Sequence, residues 1–249
     1  MLRKRLITVL TLNDGVLFRT RNFQPDYRYT TNFVDAWSVD EIVVLDITRP
    51  GQGDRANFYG KVSELAEQCF VPLAVGGGVR AVDDFKTLLR VGADKVVVNT
   101  AAVEQPELIS EAAKLFGAQC VVVSIDARKD ASGAYEVFTT FGTQPTGLKP
   151  ADWARTAEDM GAGEILITSI DKDGTLEGYD NELNRLVASA VEIPVLVCGG
   201  AGKWQDFADG FIAGRASAVC TANIYHFTET SIRSAKSFLR EVGISVRES

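Results

Sequence analysis

The sequence predicts an α/β fold, a (β/α)8 or TIM barrel, made as a single domain over residues 1–249 from two half-barrels, about 1–118 and 119–249. Three observations predict it. Eight apolar, β-branched runs alternate with amphipathic helical stretches, which is the unit count of this barrel. A chain of 249 residues is a usual length for one such domain. The third is an internal repeat. V-G-G-G-V-R-A-V-D-D-F ends at Phe85 and C-G-G-A-G-K-W-Q-D-F at Phe207, an offset of 207 − 85 = 122 that also relates Gly77 to Gly199, Asp84 to Asp206 and Gly92 to Gly214. Glu41 and Glu164 stand 123 apart, each before a strand-like run. A doubly wound open sheet would also alternate strands and helices, but eight units and a half-chain repeat favour the barrel.

The elements follow in order. Residues 5–12 are a continuous apolar run, followed by a long loop over 13–29 and a short helix near 30–38. The runs 41–47, 72–76 and 94–98 lead into helices over 58–70, 81–91 and 104–117. In the second half 120–126 is followed by a long loop over 127–149, with a small hairpin expected at 136–141, and then by a helix over 150–160. The runs 163–169, 194–198 and 217–221 lead into helices over 180–190, 203–213 and 228–241. The strands are apolar throughout rather than alternating, as parallel strands covered by helices are. Both long loops follow strands and so belong on the barrel's C-terminal face, where sites of this fold lie.

Composition excludes several classes. The formal net charge of −7 argues against nucleic acid as a partner. Cys69, Cys120, Cys198 and Cys220 form no C-x-x-C pair and sit in or beside apolar runs, so buried thiols are expected rather than disulfides or zinc. His226 is the only histidine and no cysteine pair accompanies it, which argues against a zinc enzyme and a Ser-His-Asp hydrolase; it is expected to pack or cap near the last helix. No metal or cofactor is implied, no run is long enough for a membrane span, and the cytoplasm follows as the expected location.

Polar residues at strand ends mark the candidate site. Asp46, Asn99, Thr100, Asp126, Thr168, Ser169 and Asp171 all end apolar runs, and their side chains are expected to converge on one mouth. Asp126 should be partly desolvated and so fitted for acid/base work. Gly77 and Gly78 beside Asn99-Thr100, and Gly199 and Gly200 beside Ala222-Asn223, predict two symmetric phosphate sites. A ligand with phosphates at both ends would fit them.

The runs V-G-G-G-V, G-A-D-K-V-V-V-N-T-A-A-V, V-V-V-S-I-D-A, G-A-G-E-I-L-I-T-S-I-D-K-D-G-T, C-G-G-A-G-K and H-F, in this order, resemble the cyclase subunit of imidazole glycerol phosphate synthase over essentially the whole chain. The sister isomerase of histidine synthesis shares the half-barrel repeat but matches these runs less well. The resemblance implies a glutaminase partner at the barrel's N-terminal face and ammonia passing through the barrel to a phosphorylated substrate at the top. It places the second catalytic aspartate on Asp126 and phosphate ligands on Gly77, Gly78, Asn99, Thr100, Gly199, Gly200, Ala222 and Asn223. It places the ammonia gate on Arg5, Glu41, Lys95 and Glu164, each at or just before a strand start. A purely structural ion-pair ring is the plainer reading of those four.

The departures lie on the catalytic side. Thr11 stands where the family has its first catalytic aspartate, Val9 where it has cysteine, Arg19 where it has the flexible-loop lysine, and Asn223 where it has serine; the loop from Asn22 to Tyr29 is shortened. Losing one acid/base group costs roughly 10²–10⁴ in rate. L-N-D-G-V-L-F-R-T-R-N-F with N-F-V-D-A-W is similar to a divergent branch that accompanies surface-polysaccharide genes and supplies ammonia for amidino groups on sugars. The expectation is therefore an ammonia-channelling subunit acting in nucleotide-sugar amidation, with room for a third, amidating subunit. A true cyclase that tolerates Thr11, and a silent phosphate-binding regulator, are the alternatives.

Overall fold

The computed structural model describes residues 3–28, 39–222 and 232–247. Its strands are β1 (Arg5–Asn13), β2 (Val16–Arg21), β3 (Gln24–Arg28), β4 (Glu41–Asp46), β5 (Leu73–Gly76), β6 (Lys95–Val98), β7 (Val121–Lys129), β8 (Tyr135–Thr139), β9 (Gln144–Pro145), β10 (Glu164–Ser169), β11 (Val195–Cys198) and β12 (Ala218–Thr221). Its helices are α1 (Arg55–Gln68), α2 (Val82–Arg90), α3 (Thr100–Glu104), α4 (Glu107–Phe116), α5 (Pro150–Asp159), α6 (Asn181–Ala188), α7 (Trp204–Ile212) and α8 (Ile232–Glu241).

Eight strands pair in parallel in the order β1, β4, β5, β6, β7, β10, β11, β12, and β12 returns to β1. The sheet is closed, which removes every edge from the barrel wall. Side chains alternate in and out along each strand. Ile7, Val9, Val43, Val97, Val122 and Leu166 fill the interior, while Leu6, Val44, Val75, Ile125 and Ile165 face the helices in a larger cluster.

The repeat separates into a structural part and a loop part. Asp84 accepts the main-chain N–H groups of Arg80 and Ala81 at 2.7 and 3.0 Å, and Asp206 accepts those of Gly202 and Lys203 at 2.8 and 3.0 Å. Each aspartate thus satisfies two orphan donors ahead of its own helix, α2 or α7. The next residues, Phe85 and Phe207, are fully buried. The glycines before them have positive φ: Gly77 at 97° and Gly78 at 63°, Gly199 at 93° and Gly200 at 109°. That is the left-handed region which glycine enters without penalty.

Three expectations change. The stretch expected as a loop over 13–29 is not one over its described part, 13–28: β2 and β3 form an antiparallel hairpin on the end of β1. The signal was Asp14-Gly15, whose φ values of 50° and 73° make the tight turn that Asp-Gly favours. The helix expected over 104–117 is two helices, broken at Pro106, which has no N–H to continue α3. The hairpin expected at 136–141 is instead β8 paired with an extension of β7 to Lys129, then with β9. The helix expected near 30–38 lies outside the described residues. All four cysteines are free thiols, Cys220 buried and the others half-buried. No helix among the described residues is long and apolar enough to cross a membrane.

Candidate functional site

The barrel has one polar layer at each end. At the N-terminal end, Arg5 begins β1, Glu41 β4, Lys95 β6 and Glu164 β10. Inward alternation brings all four to the axis, and they close a ring of alternating charge. Arg5 meets Glu41 at 2.8 Å and Glu164 at 2.9 Å; Lys95 meets Glu41 at 2.9 Å and Glu164 at 2.8 Å. Side-chain exposure is 10% for Arg5, 1% for Glu41, 16% for Lys95 and 10% for Glu164, so these are not surface pairs. Burial raises the pKa of Glu41 and the charge of Glu164 adds to it, against the pull of Lys95 and Arg5. For Arg5, burial is outweighed by Glu164 and Glu41, and its pKa rises. Each ion has two partners of opposite sign, which is what makes burial of four charges tolerable.

At the C-terminal end, Asp126 points into the mouth from β7, in register with Thr168 of β10. Asn99 donates Nδ2–H to Asp126 Oδ2 at 2.7 Å, and Asn99 Oδ1 is buried with no partner. Burial pushes the Asp126 carboxyl from an ordinary 3.8 up to about 7; the hydrogen bond from Asn99 opposes this, the charge of Asp173 adds to it and a hydrogen bond from Ser124 opposes it. A carboxyl balanced near neutrality can take and return a proton at working pH.

Not every strand-end residue joins it. Alternation turns Leu45 and Thr168 inward and their neighbours Asp46 and Ser169 outward. Asp46 accepts the N–H of Thr48 at 3.0 Å and lies 3.7 Å from Arg55, while Ser169 Oγ is 3.5 Å from Asp180. Asp171 is exposed. Asp173, two residues on, is the carboxylate that turns in: it accepts the hydroxyl of Thr20 at 3.1 Å and the N–H of Phe23 at 3.0 Å, and burial raises its pKa. Sequence reasoning passed over Asp173. In D-K-D-G only the course of the backbone tells which aspartate faces the mouth.

The hairpin β2–β3 lies across the same mouth. Its turn, Asn22-Phe23, has φ values of 49° and 62°, and such left-handed geometry at phenylalanine is strained. Arg49 donates to the Phe23 carbonyl at 3.0 Å and stacks 3.9 Å from the Phe141 ring, whose φ is also positive at 59°. Thr11 cannot titrate, and its hydroxyl donates to the Phe18 carbonyl in this hairpin. Arg19 is held by Asp26 at 2.6–2.8 Å.

The glycine loops sit where the repeat put them. Gly199, Gly200 and Ala222 line a small pocket with Asp173, Gly174 and Cys198. At the other loop, Gly77 packs against the main chain of Asp46, and Thr100 Oγ1 accepts the N–H of Thr140 at 3.1 Å. Asn223 and His226 lie outside the described residues. Among the described residues no group of three or more His, Cys, Asp or Glu is placed to hold a metal ion. In comparison with known families, residues 8–231 match the model described as "Histidine biosynthesis protein".

Proposed function

The chain belongs to the histidine biosynthesis protein family, and from that premise we propose that it is the synthase-type barrel subunit of a glutamine amidotransferase. In this reading a glutaminase docks on the N-terminal face and releases ammonia, which crosses the barrel to a phosphorylated acceptor in the mouth. The acceptor is a nucleotide sugar of surface-polysaccharide synthesis, and a third, amidating subunit shares that step at the mouth.

The observation that carries the reading is the closed ring of Arg5, Glu41, Lys95 and Glu164 on the axis. Hydrophobic replacements of buried ion pairs are often neutral or stabilising, so stability alone is a poor reason for four buried charges. A gate is a better one. Above the ring the interior is apolar, with small side chains at Ala74 and Ala218, which suits a neutral molecule and disfavours ammonium. Beyond that lie Ser124 and Asp126. Exposed apolar residues stand at three points of the rim where helices return to the N-terminal face: Phe70 at 79%, Leu115 at 60% and Ile212 at 66% exposure. They suit a partner surface there. The test is product formation in the reconstituted complex with Lys95→Ala. Glutamine-dependent synthesis should fall while ammonia-dependent synthesis is kept; if both are unchanged the gate reading fails.

A second reading, a ring-closing cyclase of histidine synthesis, is favoured by Asp126 with its carboxyl near neutrality and Asp173 close by. Thr11, whose hydroxyl is engaged by Phe18, weighs against it. Turnover of ammonia and the bisphosphorylated ribonucleotide at an ordinary cyclase rate would install this second reading.

A further inference from the structure

The two glycine loops are related by the repeat, yet the atoms lying over them differ in chemistry. The offset of 122 pairs Gly78 with Gly200. Over Gly200, in the space a Cβ would need, lies the carbonyl oxygen of Gly178. Over Gly78, in the corresponding space, lies Nη1 of Arg55. One half presents an acceptor at that point and the other a cationic donor.

Arg55 is held in place. Its Nε donates to Tyr59 Oη at 2.8 Å and its Nη2 to the Gly77 carbonyl at 3.0 Å. Nη1 takes part in neither bond; its nearest anion is Asp46 Oδ2, at 3.7 Å, beyond hydrogen-bond reach. The guanidinium is thus fixed at two points with a third edge turned to the glycine loop. A preorganised arginine loses little freedom when it binds, and its edge matches a phosphate. At the opposite half-site the pocket is lined by Asp173, and no arginine or lysine is among its described lining residues; Lys172, whose Cβ lies beside Gly200, has its Nζ 3.5 Å from Glu177.

We propose that Arg55 is a specificity-determining residue, making the half-site at Gly77 and Gly78 the one that takes the phosphate-bearing, more highly charged part of the acceptor. The pocket at Gly199 and Gly200 takes the less charged end. The two ends of the mouth are then not interchangeable, and an acceptor enters in one orientation. This rests on the reading of the mouth as the site of a phosphorylated acceptor.

The experiment is a series of crystals of the full chain soaked in graded inorganic phosphate, with occupancy refined at each half-site. In the unsubstituted chain the Gly77–Gly78 site should fill first. Arg55→Gln should weaken that site by about tenfold or more, the scale of one charge-assisted hydrogen bond, and leave the Gly199–Gly200 site unchanged. Tyr59→Phe keeps the charge and frees only Nε, so it should weaken the same site by a smaller factor. It also serves if Arg55→Gln fails to fold. Filling of the Gly199–Gly200 site first, or equal effects of the substitutions on both sites, overturns the proposal. Phosphate at neither site in any crystal overturns the phosphorylated-acceptor reading and the proposal with it. Phosphate at both sites with no response to either substitution overturns the role of Arg55 alone.

Discussion

Asp126 is where the chemistry of the mouth is most exposed to measurement. Its carboxyl is raised from 3.8 to about 7, so the folded chain holds this proton more tightly than the unfolded chain does. Below about pH 4 both states are protonated and the residue costs nothing. As pH rises from about 4 to about 7 the unfolded carboxyl ionises freely and the folded one does not, so stability falls across that window and levels off above it. Asp126→Asn removes this penalty while keeping an acceptor for Asn99. It should raise stability at pH 8 by on the order of 2–4 kcal/mol and leave it unchanged at pH 4. Denaturant unfolding at the two pH values checks this, and an equal effect at both would contradict it. If Asp126 is the base, the same substitution should cost roughly 10²–10⁴ in turnover. Thr11→Asp makes a sharper statement about the departure from the family. A carboxylate there would face the Phe18 carbonyl that now accepts the Thr11 hydroxyl. It should destabilise by about 1–3 kcal/mol at neutral pH and restore little ring closure unless the hairpin moves. Recovery of ordinary cyclase turnover by this one change would refute that. Asp126 was legible because it ends an apolar strand. Asp173 was not, because Asp171 and Asp173 look alike until the loop's course is known.

The elements were legible to different degrees, for physical reasons. The eight barrel strands show as apolar runs because both of their faces are buried, and each observed strand lies within a residue or a few of its expected range. The hairpin β2–β3 was read as a loop because V-L-F-R-T-R mixes apolar and charged residues over a half-exposed surface. Its Asp14-Gly15 turn was the available clue. At Gly15 φ is 73°, and a Cβ would meet the Asn57 carbonyl oxygen at 2.9 Å. Gly15→Ala should therefore cost about 1–3 kcal/mol, read as a lower thermal midpoint, with faster proteolytic cutting between β1 and β4. A neutral effect would mean the turn is not held as described. The paired caps offer an internal comparison. Asp84→Ala and Asp206→Ala should each cost about 1–2 kcal/mol, and Asp206, which is more buried, should cost more. Equal, negligible losses in denaturant unfolding would show that the repeat keeps these aspartates for some other reason.

At the scale of the whole molecule, the repeat was the most informative property of the sequence, and the structure divides its content. The Asp-Phe part caps and anchors α2 and α7, and the Gly-Gly part shapes the two loops at the mouth. The ring at the other end was legible as four charges before four strands, which the family resemblance singled out together; alternation and barrel closure bring them to one axis. Lys95→Ala leaves Glu41 and Glu164 sharing Arg5. It should cost on the order of 1–3 kcal/mol, less than a fully buried pair because Lys95 keeps some contact with solvent. The central claim is that nitrogen crosses the barrel without mixing with solvent. The direct measurement is an isotope competition in the reconstituted complex, with glutamine labelled by ¹⁵N in its amide and unlabelled ammonia in excess outside. The account predicts product that keeps the glutamine nitrogen well above its share of the free pool, and a clear drop in that retention with Lys95→Ala. Product whose label simply follows the external pool, in the unsubstituted complex, would contradict it.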